Sequence, residues 1–116
     1  MIYKKDIRIW TRDFAIVIVK FTIELKRSGI EYSLRDQLLR SGTSVGSNVK
    51  EAKASSSRRE LIRYYEIALR SADETEYWLD VIKRAYEMNN DQFEILHSEL
   101  KEIMNVIASI IINLKK

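Results

Sequence analysis

Apolar residues recur along this chain at spacings of three and four, in four successive stretches separated by short polar joints. That spacing marks helices with one face turned to a core. In the first stretch Ile7, Trp10, Phe14, Ile18, Phe21 and Leu25 form one stripe, which predicts a helix over about 6–28. Ile16, Val17, Val19 and Ile23 add a second apolar face. The run Ile16-Val17-Ile18-Val19 has strand propensity, but the three-four spacing continues beyond it on both sides and favours helix. Gly29 fits the C′ position that ends a helix.

Ser33-Leu34-Arg35-Asp36 resembles a capping box and predicts a second helix over 34–54. Its stripe is Leu34, Leu38, Val45, Val49 and Ala52, with Ser41 and Asn48 in the gaps. Gly42 and Gly46 lie inside it. Each interior glycine weakens a helix by about 1 kcal/mol relative to alanine, so two of them four residues apart suggest close backbone approach by a neighbour. Ser57-Arg58-Arg59-Glu60 is a full capping box after a serine joint and opens a third helix, 58–87. There Leu61, Tyr65, Ala68, Ala72, Thr75, Leu79, Ile82 and Tyr86 alternate four and three, a helical-bundle seam. Asn90 or Asp91 caps a fourth helix, 91–115, with the stripe Phe93, Leu96, Leu100, Ile103, Ile107, Ile110 and Leu114. Ile95, Met104, Val106, Ile111 and Ile112 widen its apolar arc enough to suggest a face for another subunit.

Four helices with short joints predict an all-α fold, an antiparallel up-down-up-down four-helix bundle in one domain over 1–116. The composition agrees. The 116 residues contain no proline and three glycines, too few turn residues for a sheet protein. No leader is recognised at the N-terminus, and the longest apolar runs fall far short of the ~20 residues of a membrane span. A cytoplasmic location and no membrane partner are expected.

Composition also limits the chemistry. There is no cysteine and one histidine, so thiolate catalysis and zinc-thiolate sites are excluded. His97 forms one Glu94-x-x-His97, but a di-metal bundle needs this motif on two helices. No nucleophile elbow and no phosphate loop is present. Glu74 and Glu76 point to different helix faces, which rules out an acid/base dyad. A helical nuclease motif would need arginine at positions 90–92, which hold Asn90, Asp91 and Gln92. No catalytic residue, no metal, no cofactor and no enzymatic activity are expected.

Charge is more informative. Residues 1–63 carry 14 Lys and Arg against 7 acids, and residues 64–116 carry 6 against 10, giving +7 and −4. The predicted topology gathers Lys4, Lys5, Arg8, Arg12, Lys50, Lys53, Arg58, Arg59, Arg63, Lys115 and Lys116 at one pole, with only Asp6, Asp13, Glu51 and Glu60 as counter-charges. Such a pole can neutralise phosphates. Lys50, Lys53, Arg58, Arg59 and Arg63 are the candidate nucleic-acid contacts, with Tyr3 and Tyr64 the nearest aromatics for base stacking. The competing reading is an ordinary solvated surface. A polar line on helix two, Arg40, Ser44, Asn48 and Glu51, should face helix three, where Arg40 is expected to reach Glu74 or Glu76 and fix helix register.

Two stretches carry a family likeness: Arg40-Ser41-Gly42-Thr43-Ser44-Val45-Gly46-Ser47-Asn48-Val49-Lys50-Glu51-Ala52, and Ile67 to Leu79. The chain resembles the bacterial four-helix-bundle family encoded in intervening sequences of 23S rRNA genes. Arg40, Ser44, Asn48, Glu51 and Glu74 match the family pattern. The resemblance implies a homo-oligomer, specifically a homopentamer. A diverged relative, the accessory variability determinant of diversity-generating retroelements, implies a nucleic-acid partner and a reverse transcriptase. Two functions follow as expectations: a nucleic-acid-binding module, for RNA or DNA, acting through the basic pole, or a structural oligomer that engages a protein partner without nucleic-acid affinity.

Overall fold

A computed structural model describes residues 6–116. Its helices are α1 (Ile7–Arg27), α2 (Tyr32–Lys53), α3 (Arg58–Ala85) and α4 (Asp91–Leu114), joined in sequence as an antiparallel bundle. There is no strand among the described residues, and none of their helices is long and apolar enough to cross a membrane.

The helix ends follow from local chemistry. Asp6 caps α1 by accepting the Arg8 amide at 2.9 Å. At the other end Gly29 adopts φ +82°. Its amide donates to the Lys26 carbonyl, and that of Ile30 to the Leu25 carbonyl, both at 3.1 Å. This is a Schellman turn, and it tucks Ile30 into the core beside Leu25. Ser57 accepts the Glu60 amide at 3.1 Å and so opens α3. Of the two candidates for α4, Asn90 is the cap, accepting the Gln92 amide at 2.8 Å.

The start of α2 differs from expectation. Ser33 is not the cap; the helix begins at Tyr32, and Glu31 precedes it without a side-chain capping bond. Tertiary contacts replace the local signal. The Glu31 amide donates to Tyr86 Oη at 3.1 Å, and Arg35 Nε donates to the Ile30 carbonyl at 2.9 Å. With Ile30 drawn inward, the chain is already turned when it reaches Tyr32. Tyr86 is therefore no seam residue. It caps the end of α3 from an exposed position, and Glu87 beyond it takes the left-handed conformation at φ 50°.

Small side chains set the closest packing. A Cβ on Gly46 would lie 3.0 Å from the Thr11 carbonyl oxygen and 3.2 Å from its carbon. One on Gly42 would meet Ile18 Cγ2 at 2.8 Å. The glycine pair thus lets α2 press against the α1 backbone, as its spacing suggests. Ala52, Ala68 and Ala72 are buried in α2 and α3. Between α1 and α4 the fill is large instead: Phe21 and Phe93 meet edge to face with centroids 5.0 Å apart, and Trp10 Nε1 donates to Glu99 at 3.0 Å. The body measures 45 × 32 × 19 Å, and its long axis is the length of the helices, the longest of which has 28 residues.

The core stripes fall largely where periodicity puts them, with all six α1 positions buried. In the last turns of α4 the buried position is Ile111, with Ile110 only partly covered. Among the described residues, no buried side-chain nitrogen or oxygen lacks a hydrogen-bond partner.

Gly46→Val should destabilise the fold by about 1–3 kcal/mol, since the added branches meet rigid α1 backbone. Glu87→Gly should stabilise it by about 0.5–1 kcal/mol, because the left-handed conformation strains any side chain. Urea denaturation of both variants, read by circular dichroism, checks the opposite signs.

Candidate nucleic-acid interface

The serine joint between α2 and α3 carries the basic residues that the topology gathers. Lys50 and Lys53 lie in the last turns of α2, and Arg58, Arg59 and Arg63 in the first turns of α3; all five are exposed. They take no ion pair among the described residues. Other cations of the same pole are committed. Arg8 pairs with Asp6 at 3.0 Å, Arg12 with Asp13 at 3.0 Å, and Lys115 with Glu66 at 2.8 Å. The Arg8 hydrogen bonds hold the Asp6 carboxyl below its ordinary range, and the charge of Lys53 contributes. Lys4, Lys5 and Tyr3 lie outside the described residues.

Two features shape this surface. The Arg63 guanidinium sits 5.4 Å from the ring centre of Tyr64, a half-buried side chain. That contact can hold the guanidinium in place. On the neighbouring face, a groove of about 560 Å³ runs between α1 and α2, lined by Arg8, Arg12, Thr43, Ser47 and Lys50. Gly46 also lines it, so the glycine that allows close helix approach also leaves room there. Sequence reasoning misses this groove as a unit, although the predicted topology puts Arg8, Arg12 and Lys50 at one pole.

The polar line of α2 is not a bridge to α3. Arg40 pairs with Asp36 one turn back, Nε to Oδ2 at 2.9 Å, with 75% of its side chain exposed. The remaining bonds are also local. Ser44 Oγ donates to the Arg40 carbonyl at 2.7 Å, and Asn48 Nδ2 to the Ser44 carbonyl at 2.8 Å. Glu51 is exposed, and its carbonyl accepts from Ser55 Oγ at 3.0 Å. Glu74 accepts from Trp78 Nε1 at 3.2 Å within α3. The cause is helix rotation. Gly42 and Gly46 face α1, and Arg40, two positions before Gly42, is turned by about 200° from it, onto the exposed side of the helix; Ser44 is half-buried.

A second groove, between α3 and α4, is acidic. Asp73, Glu76, Asp80 and Glu94 line it together with Lys83 and His97. Glu76 is 2.7 Å from His97 Nε2 and 3.2 Å from Lys101 Nζ. Glu94 instead pairs with Lys83, whose hydrogen bond holds its carboxyl below the ordinary range. The Glu94-x-x-His97 pair is thus divided between two partners on α3. Among the described residues, no group of three or more His, Asp or Glu is arranged to hold a metal ion.

Arg40→Ala should leave the urea midpoint unchanged, because an exposed i,i+4 pair contributes little. A double-mutant cycle between Arg40 and Glu74 should show no coupling, and measurable coupling would contradict the outward placement.

Comparison with known proteins places the chain. No curated protein matches it. A solved structure from Bacteroides thetaiotaomicron VPI-5482, described as a protein with unknown function from the S23 ribosomal protein family, superimposes with a TM-score of 0.86. The two are 36% identical over 91% of this chain and 98% of that one. The family described as 23S rRNA-intervening sequence protein matches residues 5–109. The chain belongs to the 23S rRNA-intervening sequence protein family.

Proposed function

We propose that this protein is a non-enzymatic, oligomeric helical bundle that binds nucleic acid through the basic pole around the α2–α3 joint. The observation that carries this reading is the contrast within the pole. Arg8, Arg12 and Lys115 have carboxylate partners, whereas Lys50, Lys53, Arg58, Arg59 and Arg63 are exposed without one among the described residues.

Helix electrostatics sharpen the contrast. Lys50 and Lys53 stand at the C-terminal end of α2, where the macrodipole favours cations. Arg58 and Arg59 stand at the N-terminal end of α3, where it disfavours them. Folding stability gives no reason for two arginines there, and phosphate binding does. The exposed backbone amides of that first turn add donors for the same anion.

A second reading has its own support: a structural oligomer that engages protein partners. Ile9, Ile16, Val19 and Ile23 form an outward apolar stripe on α1, each 41–50% exposed. A cytoplasmic setting is consistent with either role.

Fluorescence anisotropy with a structured RNA and a duplex DNA separates the readings. Binding should weaken steeply with salt. Replacing Lys53, Arg58, Arg59 and Arg63 together by glutamine should weaken it further. For duplex DNA the slope of log K against log salt should flatten by about 0.9 for each phosphate that is no longer neutralised. Absence of binding at low salt would leave the structural reading.

A further inference from the structure

The groove between α1 and α2 combines two kinds of lining. Ile9, Ala15 and Gly46 are apolar, Arg8, Arg12 and Lys50 are cations, and no acidic residue lines it among the described residues. Its volume of about 560 Å³ lies in the range of small-molecule sites. Lys50 belongs both to the groove and to the exposed cations of the pole, so the groove continues the basic surface from the α2–α3 joint.

Both arginines are neutralised, and both through the same edge. Arg8 donates from Nε to Asp6 Oδ1 at 3.3 Å and from Nη2 to Asp6 Oδ2 at 3.0 Å. Arg12 donates from Nε and Nη2 to Asp13 Oδ1 at 3.2 and 3.0 Å. Each carboxylate therefore holds the guanidinium plane while Nη1 and the flat faces take no partner among the described residues. Such planes stack on nucleobases. Lys50 has no ion pair among the described residues and leaves one uncompensated positive charge at the groove. On the α2 side, Thr43 Oγ1 donates to the Leu39 carbonyl at 2.8 Å and Ser47 Oγ to the Ser44 carbonyl at 3.2 Å. With their protons committed to the helix, both oxygens are left as acceptors. A phosphate, which only accepts, gains nothing from them, whereas the N–H groups of a base do.

One free cation, two stacking planes and two acceptors match a single nucleotide, with one phosphate charge, one flat ring and N–H donors on its edge. We propose that the α1–α2 groove holds one unpaired nucleotide of a bound strand, its base among Arg8, Arg12, Thr43 and Ser47 and its phosphate on Lys50. The inference rests on the nucleic-acid reading given under Proposed function and names the substrate class. A continuous duplex keeps its bases paired and stacked, so it engages the joint alone. A helix interrupted by a bulge or loop can splay a base out and engages the joint and the groove together. The protein therefore prefers interrupted helices to continuous ones.

Fluorescence anisotropy with two RNA hairpins tests the groove, one with a continuous stem and one with the same stem carrying a single bulged nucleotide. The wild type should bind the bulged stem about tenfold more tightly, the effect of one stacked base. Ser47→Leu, which fills the groove, should bring that ratio close to one. Thr43→Val, which removes one acceptor at nearly constant shape, should lower the ratio in the same direction, and circular dichroism melts verify that both variants fold. Replacing Lys53, Arg58, Arg59 and Arg63 by glutamine should weaken binding of both hairpins by a similar factor and so keep the ratio. Equal affinity of the wild type for the two hairpins would overturn the groove assignment and leave the joint reading standing. A preference that survives both Ser47→Leu and Thr43→Val would place the base elsewhere and overturn it as well. No binding of either hairpin at low salt would overturn both readings.

Discussion

The contact of α2 with the backbone of α1 sets the rest of the architecture. Gly46 has no room for a Cβ beside the Thr11 carbonyl, and Gly42 has none beside Ile18. These contacts fix how far α2 is rotated about its axis. Leu38, Val45, Val49 and Ala52 then fall inside, while Arg40, Lys50 and Lys53 fall outside. Between α1 and α4, Phe21 packs edge to face on Phe93 and Trp10 reaches Glu99.

Rotation and topology together divide the surface. The α2–α3 joint gathers exposed cations from two helix ends, while carboxylates on α3 and α4 line their own groove. Ion pairs use up much of the remaining charge: Arg8, Arg12, Arg40, Lys83, Arg84 and Lys115 all have a carboxylate within 4 Å. Five of the cations left without an ion pair among the described residues stand together at the joint, which raises the positive potential there. An assembly that repeated the pole would also raise affinity through multivalency.

Much of this is legible in the sequence. All six predicted core positions of α1 are buried, the caps at Ser57 and Asn90 form, and the glycine pair marks close packing. These features are local or periodic, and one-dimensional reading captures them. What escapes it depends on three-dimensional competition. Ser33 has no capping role because Ile30 burial and Tyr86 have already turned the chain. Arg40 takes Asp36 because helix rotation, set by glycines two and six residues away, points it away from α3. The α4 arc suggests the outward apolar face in sequence, but Ile111 joins the core, and α1 has the more continuous exposed stripe. Topology alone puts the five candidate cations at the pole, but their lack of partners becomes visible only with the side chains in place.

Hydrogen exchange with and without a structured RNA tests most directly whether the α2–α3 joint is the binding surface. The amides opening α3 lack helical partners, so a bound phosphate would register there first. The account predicts RNA-dependent protection centred on residues 50–63, with exchange across the outer face of α4 unchanged by RNA. Protection centred on the acidic α3–α4 groove, or no protection under conditions where RNA is bound, would contradict it.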